Sequence, residues 1–316
     1  MDTPLPLDGA VRLTHCGVIR AKGADAVKFL QGQLTNDVAT LDRSHARLAG
    51  FCSAKGRLQA NFVVWKAGDD ELLLACSASL LAATLKRLSM FVMRAQCKLT
   101  DATDELPLWG ALGASARALM QQAAVGDARD VDGGTVIRVP DASGVMRCLL
   151  DAPTDSGLSA TLTALPSLAL DAWRLLEVRS GIPIIEAATV DQFVPQMLNY
   201  ELVGGVDFQK GCYPGQEVVA RSQYRGTIKR RMFLFDMDAS ATPGQEVFHS
   251  ADPGQPAGMV VNAAPGPDGR GACALVEVKL AALDGGSLHL GEPAGPGLRR
   301  VELGYAVPVD ANLPTA

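Results

Sequence analysis

The sequence predicts an α+β protein built on antiparallel sheets. Three observations carry this. Apolar residues alternate with polar ones in runs joined by short turns, as where Leu58, Ala60, Phe62 and Val64 interleave with Gln59, Asn61 and Val63. Helical stripes fall between such hairpins and not between successive single strands, which argues against a doubly wound sheet. Beyond residue 226 helical periodicity stops. Short strands separated by Gly- and Pro-rich turns there predict a small β-barrel over 227–316.

Taken in order, residues 11–20 read as a first strand. Gly23-Ala24-Asp25 opens a helix with Asp25 as N-cap. Phe29, Leu30 and Leu34 recur at helical spacing and read as core. Thr35, Asn36 and Asp37 either end that helix or face a ligand. A hairpin follows, with arms 45–53 and 58–66 around Lys55-Gly56, then a strand at 71–76. Leu80, Leu81, Leu85 and Leu88 stripe a helix that runs to about residue 93, and 96–100 reads as a strand. Further on, 109–113 is a strand, 114–124 a helix, and 135–140 with 145–151 a strand pair. The span 152–166 has no clear period. A helix over 170–180 carries Trp173, Leu176 and Glu177 and stops at Gly181-Ile182-Pro183. Strands are then expected at 228–238, 246–249, 258–263 and 272–279.

At 316 residues with 48% apolar content, the chain supports two or three cores. The net charge of −5 gives no general case for nucleic-acid binding. Charge is uneven, though: residues 210–231 hold six cations and one carboxylate, suggesting an anionic ligand or partner nearby. A solvated strand edge explains Lys229-Arg230-Arg231 equally well. Seven widely spaced cysteines without a C-x-x-C fit a reducing compartment, not a disulfide frame. Neither a signal peptide nor a membrane span is visible, so a cytoplasmic protein is expected.

The stretch Lys210-Gly211-Cys212-Tyr213-Pro214-Gly215-Gln216-Glu217 concentrates chemistry. Its glycines and proline predict a turn leading into a helix at Gln216. Cys212 then precedes a helix N-terminus beside Lys210, and both features favour a thiolate. Such a cysteine is a candidate nucleophile or soft metal ligand. The bland alternative is a small buried residue in a glycine turn.

This motif, with Phe193-Val194-Pro195-Gln196-Met197-Leu198-Asn199, Gly204-Gly205-Val206-Asp207-Phe208-Gln209 and Val218-Val219-Ala220-Arg221, resembles the signature of the YgfZ family. Supporting matches lie at residues 29–37 and 53–57, so the resemblance spans about 20–235. It implies the fold of the glycine-cleavage aminomethyltransferase (GcvT). In that fold, 1–226 is a folate-binding region of two interleaved α+β subdomains meeting near residue 105. It also implies tetrahydrofolate or a derivative as ligand, and iron–sulfur proteins or their assembly factors as partners, with tRNA modification downstream.

On that resemblance Cys212 is the reactive group and Lys210 lowers its pKa. Tyr213, Gln216 and Glu217 shape the loop and relay protons. Trp173 is expected beside the folate. Gln196, Asn199 and Asn36 are expected on its polar edges, and Arg221 and Arg225 on its carboxylate tail. Metal contact is expected only as transient cluster ligation by Cys212, because one thiolate cannot hold a four-iron cluster. No stably bound metal is expected. Two departures matter. Gln59 and Ala60 stand where aminomethyltransferases carry acids, which argues against aminomethyl transfer. Arg179 replaces a glutamate, with Glu177 on another helix face, which argues against folate in the usual pose. Two further readings stay open: a one-carbon transferase using Cys212, and a tRNA-binding module. The second ranks last, since aromatic content is 5% and the chain is acidic.

Overall fold

The computed structural model describes residues 7–225 and 228–308. Three antiparallel sheets share the chain. The first holds β2 (Cys16–Lys22), β3 (Ala46–Cys52), β4 (Leu58–Gly68), β5 (Glu71–Ser77) and β6 (Lys98–Asp101), in the order β3-β4-β5-β2-β6. The second holds β1 (Gly9–Arg12), β7 (Leu108–Leu112), β8 (Ala128–Val131), β9 (Gly134–Ala142) and β10 (Val145–Asp151), in the order β1-β7-β10-β9-β8.

The expected first strand is therefore two strands in two sheets. Backbone bonds at Leu13 and Cys16 turn the chain between them: Leu13 N–H donates to Leu108 and Cys16 N–H to Leu13. β1 pairs with β7 while β2 pairs with β5 and β6, so the two α+β units interleave.

Sheets one and two face each other through a shared core. Val18, Trp65 and Leu73 from the first meet Leu112, Ile137 and Leu149 from the second. The Trp65 indole N–H donates to Asp151 Oδ2 across that interface at 2.9 Å, which satisfies a buried carboxylate. Helices cover the outer faces. α1 (Ala26–Gln31) and α2 (Ala78–Val92) cover sheet one with Phe29, Leu30, Leu81 and Leu88. α3 (Gly113–Met120) and α4 (Gly157–Ala164) cover sheet two with Ala116, Met120, Leu158 and Leu162. Asp25 does precede α1, but its Oδ2 accepts from Gln96 N–H and caps nothing in its own helix. The unassigned span 152–166 contains α4, capped by Ser156, whose Oγ accepts from Ser159 N–H at 3.1 Å.

The third sheet holds β11 (Arg230–Met237), β12 (Glu246–His249), β13 (Asp252–Pro265), β14 (Ala272–Lys279), β15 (Leu288–Leu290) and β16 (Arg299–Val301). Leu288 and Leu290 of the edge strand β15 join Phe233, Phe235, Val260 and Val276 in one interior, so the sheet curls around its own core. Its other face, with Met232, Leu234 and Leu275, rests on the body. The expected boundary at 226/227 lies outside the described residues.

One helix ties the three cores together. α5 (Leu170–Arg179) sends Trp173 and Leu176 between the first two sheets, and Leu175 and Val178 toward the third. Gly181, at φ +73°, ends this segment, and Tyr305 Oη donates to its carbonyl at 2.8 Å. The chain then passes Pro183 and Ile184 along the central cavity.

Candidate functional site

The Cys212 loop is held at both ends. On one side the Lys210 ammonium donates to the carbonyls of Gln31 and Leu34, the latter at 2.6 Å, where α1 runs out. Carbonyls at a helix C-terminal end favour a cation. Burial lowers the Lys210 pKa to about 8, while Asp37, Asp207 and Cys212 oppose the shift electrostatically. Its ammonium also lies 5.2 Å above the centre of the buried Tyr213 ring.

On the other side the loop enters α6 (Gln216–Tyr224) through Gly215, at φ +79°. Gly215 touches the β3–β4 turn: a β-carbon there would stand 2.4 Å from the Ser53 carbonyl oxygen. Gly56, also at positive φ, likewise leaves room for Val218. Val219 is buried, so α6 is seated by one valine in the core and the other against the turn. Ser53-Ala54-Lys55-Gly56-Arg57 and the Cys212 loop thus form one docked pair.

Cys212 itself is exposed, whereas the other six cysteines are buried or half-buried. Burial pushes the thiols of Cys52, Cys76, Cys148 and Cys273 up to about 12. They are packing residues, and Cys212 is the thiol available to a reactant.

A second feature is a central cavity of about 100 Å³ between the first two sheets. Trp173 forms one wall, lying so close over Gly110 that a β-carbon there would stand 2.3 Å from the indole. The Arg147 guanidinium sits 4.6 Å from the Trp173 ring centre and donates to the Leu176 carbonyl at 2.7 Å. Asn61 lies on another wall. Its amide bridges Pro183 and Ile185, donating to one carbonyl at 2.6 Å and accepting from the other N–H at 2.8 Å.

Glu177 is the one carboxylate among the described lining residues. Burial raises its pKa, but a 2.8 Å bond from His15 Nε2 and the nearby Arg147 outweigh that, so it sits below the usual glutamate value.

Other sequence expectations land elsewhere. Gln196 and Asn199 are fully buried, and their amide N–H groups donate to the Val219 and Met232 carbonyls. Asn36 donates to the carbonyls of Leu48 and Gly204. None of these three lines the cavity. Gln216 is half-buried at the start of α6. Glu217 and Arg221 pair with each other at 2.7 Å on the solvent face of that helix, and Arg225 caps its exposed end.

The basic stretch is divided: Lys210 and Arg231 are buried and Arg230 half-buried, while Arg221, Arg225 and Lys229 are exposed. Arg230 binds Glu277, and the buried Arg231 binds Glu201. Gln59 borders an outer groove with Phe51 and Leu80, and Ala60 is core, so neither faces the cavity. Arg179 donates to Ser143 Oγ and lies near Asp236.

Sequence reasoning missed Asn61, Arg147 and Glu177 as cavity residues. For Glu177 a signal existed: it stands four residues after Trp173, one turn on along the same helix face.

An α+β body of this topology belongs to the aminomethyltransferase fold. The crystal structure of glycine cleavage system aminomethyltransferase T from Bartonella henselae matches with a TM-score of 0.73 over 96% of this chain and 86% of that one. Identity is 16%, so this likeness establishes fold alone. Residues 9–136 match the family described as the GCVT N-terminal domain. Sequence relatives narrow the class. The chain is 35% identical over 238 residues to the tRNA-modifying protein YgfZ of Colwellia psychrerythraea, covering 73% of this chain and 72% of that one. It is also 35% identical over 250 residues to the protein of that name in Edwardsiella ictaluri, covering 76% and 74%. The chain belongs to the YgfZ family.

Proposed function

We propose that this YgfZ-family accessory protein binds a folate in its central cavity and supports assembly or repair of iron–sulfur enzymes through Cys212. The relatives are named tRNA-modifying proteins, and we read tRNA modification as the downstream outcome of that support. The observation that carries the role of Cys212 is its exposure, set against six sheltered thiols, on a loop fixed at both ends.

The cavity residues suit a flat, polar heterocycle. Trp173 offers an apolar face, and Arg147 Nε is buried without a partner. A folate would lay its ring there, with Arg147 and Glu177 meeting its polar edge. Bound folate supplies a one-carbon carrier. The chain's residues would hold the ring, exclude water and present Cys212 outside. No helix among the described residues is long and apolar enough to cross a membrane.

Aminomethyl transfer is the weaker reading. Glu177 is already engaged by His15, and Asn61 is an amide, so the described cavity offers no free base. A tRNA-binding module is weaker again, because Arg221, Arg230 and Arg231 pair with carboxylates and Lys210 with carbonyls.

Alkylation across pH, read by peptide mass mapping of all seven cysteines, tests the site. Cys212 should react fastest near neutral pH, and Lys210→Met should slow it. Complementation by Cys212→Ala should then fail. Reaction no faster than at Cys16 would remove Cys212 as the working group.

A further inference from the structure

We propose that His15, Cys16 and Glu177 form a binding site for a divalent cation of the zinc type. The three offer one nitrogen, one sulfur and one oxygen, and these atoms all lie within 4.8 Å of one another. That donor set suits zinc or ferrous iron and not magnesium or calcium. Tetrahedral binding at ordinary bond lengths separates donors by about 3–4 Å, so small side-chain rotations close the site.

Three features support it beyond the cluster. His15 Nδ1 is buried without a partner and Nε2 bonds only to Glu177, so the ring has no other hydrogen bond to give up on taking a cation. The backbone around it is fixed, with Ala78 N–H donating to the His15 carbonyl at 2.9 Å and Cys16 paired to Ser77 across the sheet. The cluster also stands between two spaces. Cys16 and Glu177 line the central cavity, while His15 and Glu177 line a small outer cleft with Glu186 and Arg174. The cleft gives a cation an access route, and the cavity side gives it an open position.

Charge is balanced on binding. Burial and the neighbouring Glu177 hold the Cys16 thiol protonated in the free protein. Binding releases that proton to solvent, and two anionic ligands then neutralise a divalent cation. Arg174 and Arg147 flank the group and offset the remaining acidity of Glu186.

The test uses the whole chain after chelator treatment. Cobalt(II) alone is titrated as a spectroscopic probe, followed by zinc. One equivalent should bind with a thiolate-to-cobalt band in the near ultraviolet, which zinc then removes. Cys212→Ala should keep the band and Cys16→Ser should lose it. His15→Gln and Glu177→Gln should each weaken binding by about 100-fold. One readout needs no variant: zinc should protect Cys16 from alkylation in the wild-type chain. No band, no protection of Cys16, or a band that follows Cys212 would each overturn the proposal.

Discussion

Gly215 and Gly56 meet backbone to backbone: a β-carbon on Gly215 would stand 2.7 Å from both the Cα and the N of Gly56. The Cys212 loop and the β3–β4 turn are therefore seated by two missing side chains. Gly215→Ala should destabilise the protein by about 2–4 kcal/mol, from left-handed backbone strain plus the clash. It should also slow Cys212 alkylation by displacing the loop. Urea unfolding and peptide mapping check both effects. Wild-type behaviour would show that the loop docks by other contacts.

The buried pair of Arg231 and Glu201 links β11 to the segment before the loop. Glu201→Gln leaves a guanidinium without its counter-charge and should cost about 3–5 kcal/mol. Replacing both by apolar residues should recover most of that loss. Denaturant midpoints of the single and double variants decide this.

Lys210 gives a pH signature. Its folded value is about 8, against 10.5 for the free side chain. Between those values the unfolded chain binds more protons, so stability rises with pH there, and the burial penalty is complete below about 8. Wild type should gain on Lys210→Met by at most about 3 kcal/mol over that window. Unfolding midpoints measured from pH 7 to 10.5 test it. A constant gap would mean that the ammonium is not desolvated by folding.

Gly110 lies under Trp173, so Gly110→Ala should tilt the indole into the cavity. A loss of about 1–3 kcal/mol is expected from overpacking. Quenching of tryptophan fluorescence by folate should weaken in step. Unchanged quenching would place the ligand away from that wall.

Most of the fold was legible in the sequence because alternation and helical stripes mark elements directly. The hairpin arms, α2, α5 and four strands of the third sheet fall close to their expected positions, while β15 and β16, three residues each, were too short to show a pattern. What alternation cannot reveal is partnership. Val11 and Val18 share one apolar pattern yet sit in different sheets, since pairing is set by distant contacts, Val11 with Gly110 and Val18 with Ala75. The site followed the same rule. Gln59 and Asn61 lie on one face of an 11-residue strand, but that face runs past an outer groove before it reaches the cavity. Glu177 was discounted against Arg179, although helical spacing puts it beneath Trp173. The exposed turn that carries Cys212 into α6 was legible because its glycines and proline have a local cause.

The pairing of Gly9 with Leu112 and of Arg12 with Trp109 has a consequence for birth on the ribosome. The first strand to emerge has no sheet to join until β7 follows, about a hundred residues later. At ordinary translation rates that wait lasts roughly 5–20 s. Sheet one can close meanwhile, because all its strands lie between residues 16 and 101. The opening segment must stay unpaired beside a half-built body, a window in which a chaperone has something to hold. Removing that segment should spare the early unit and expose the edge of the later one.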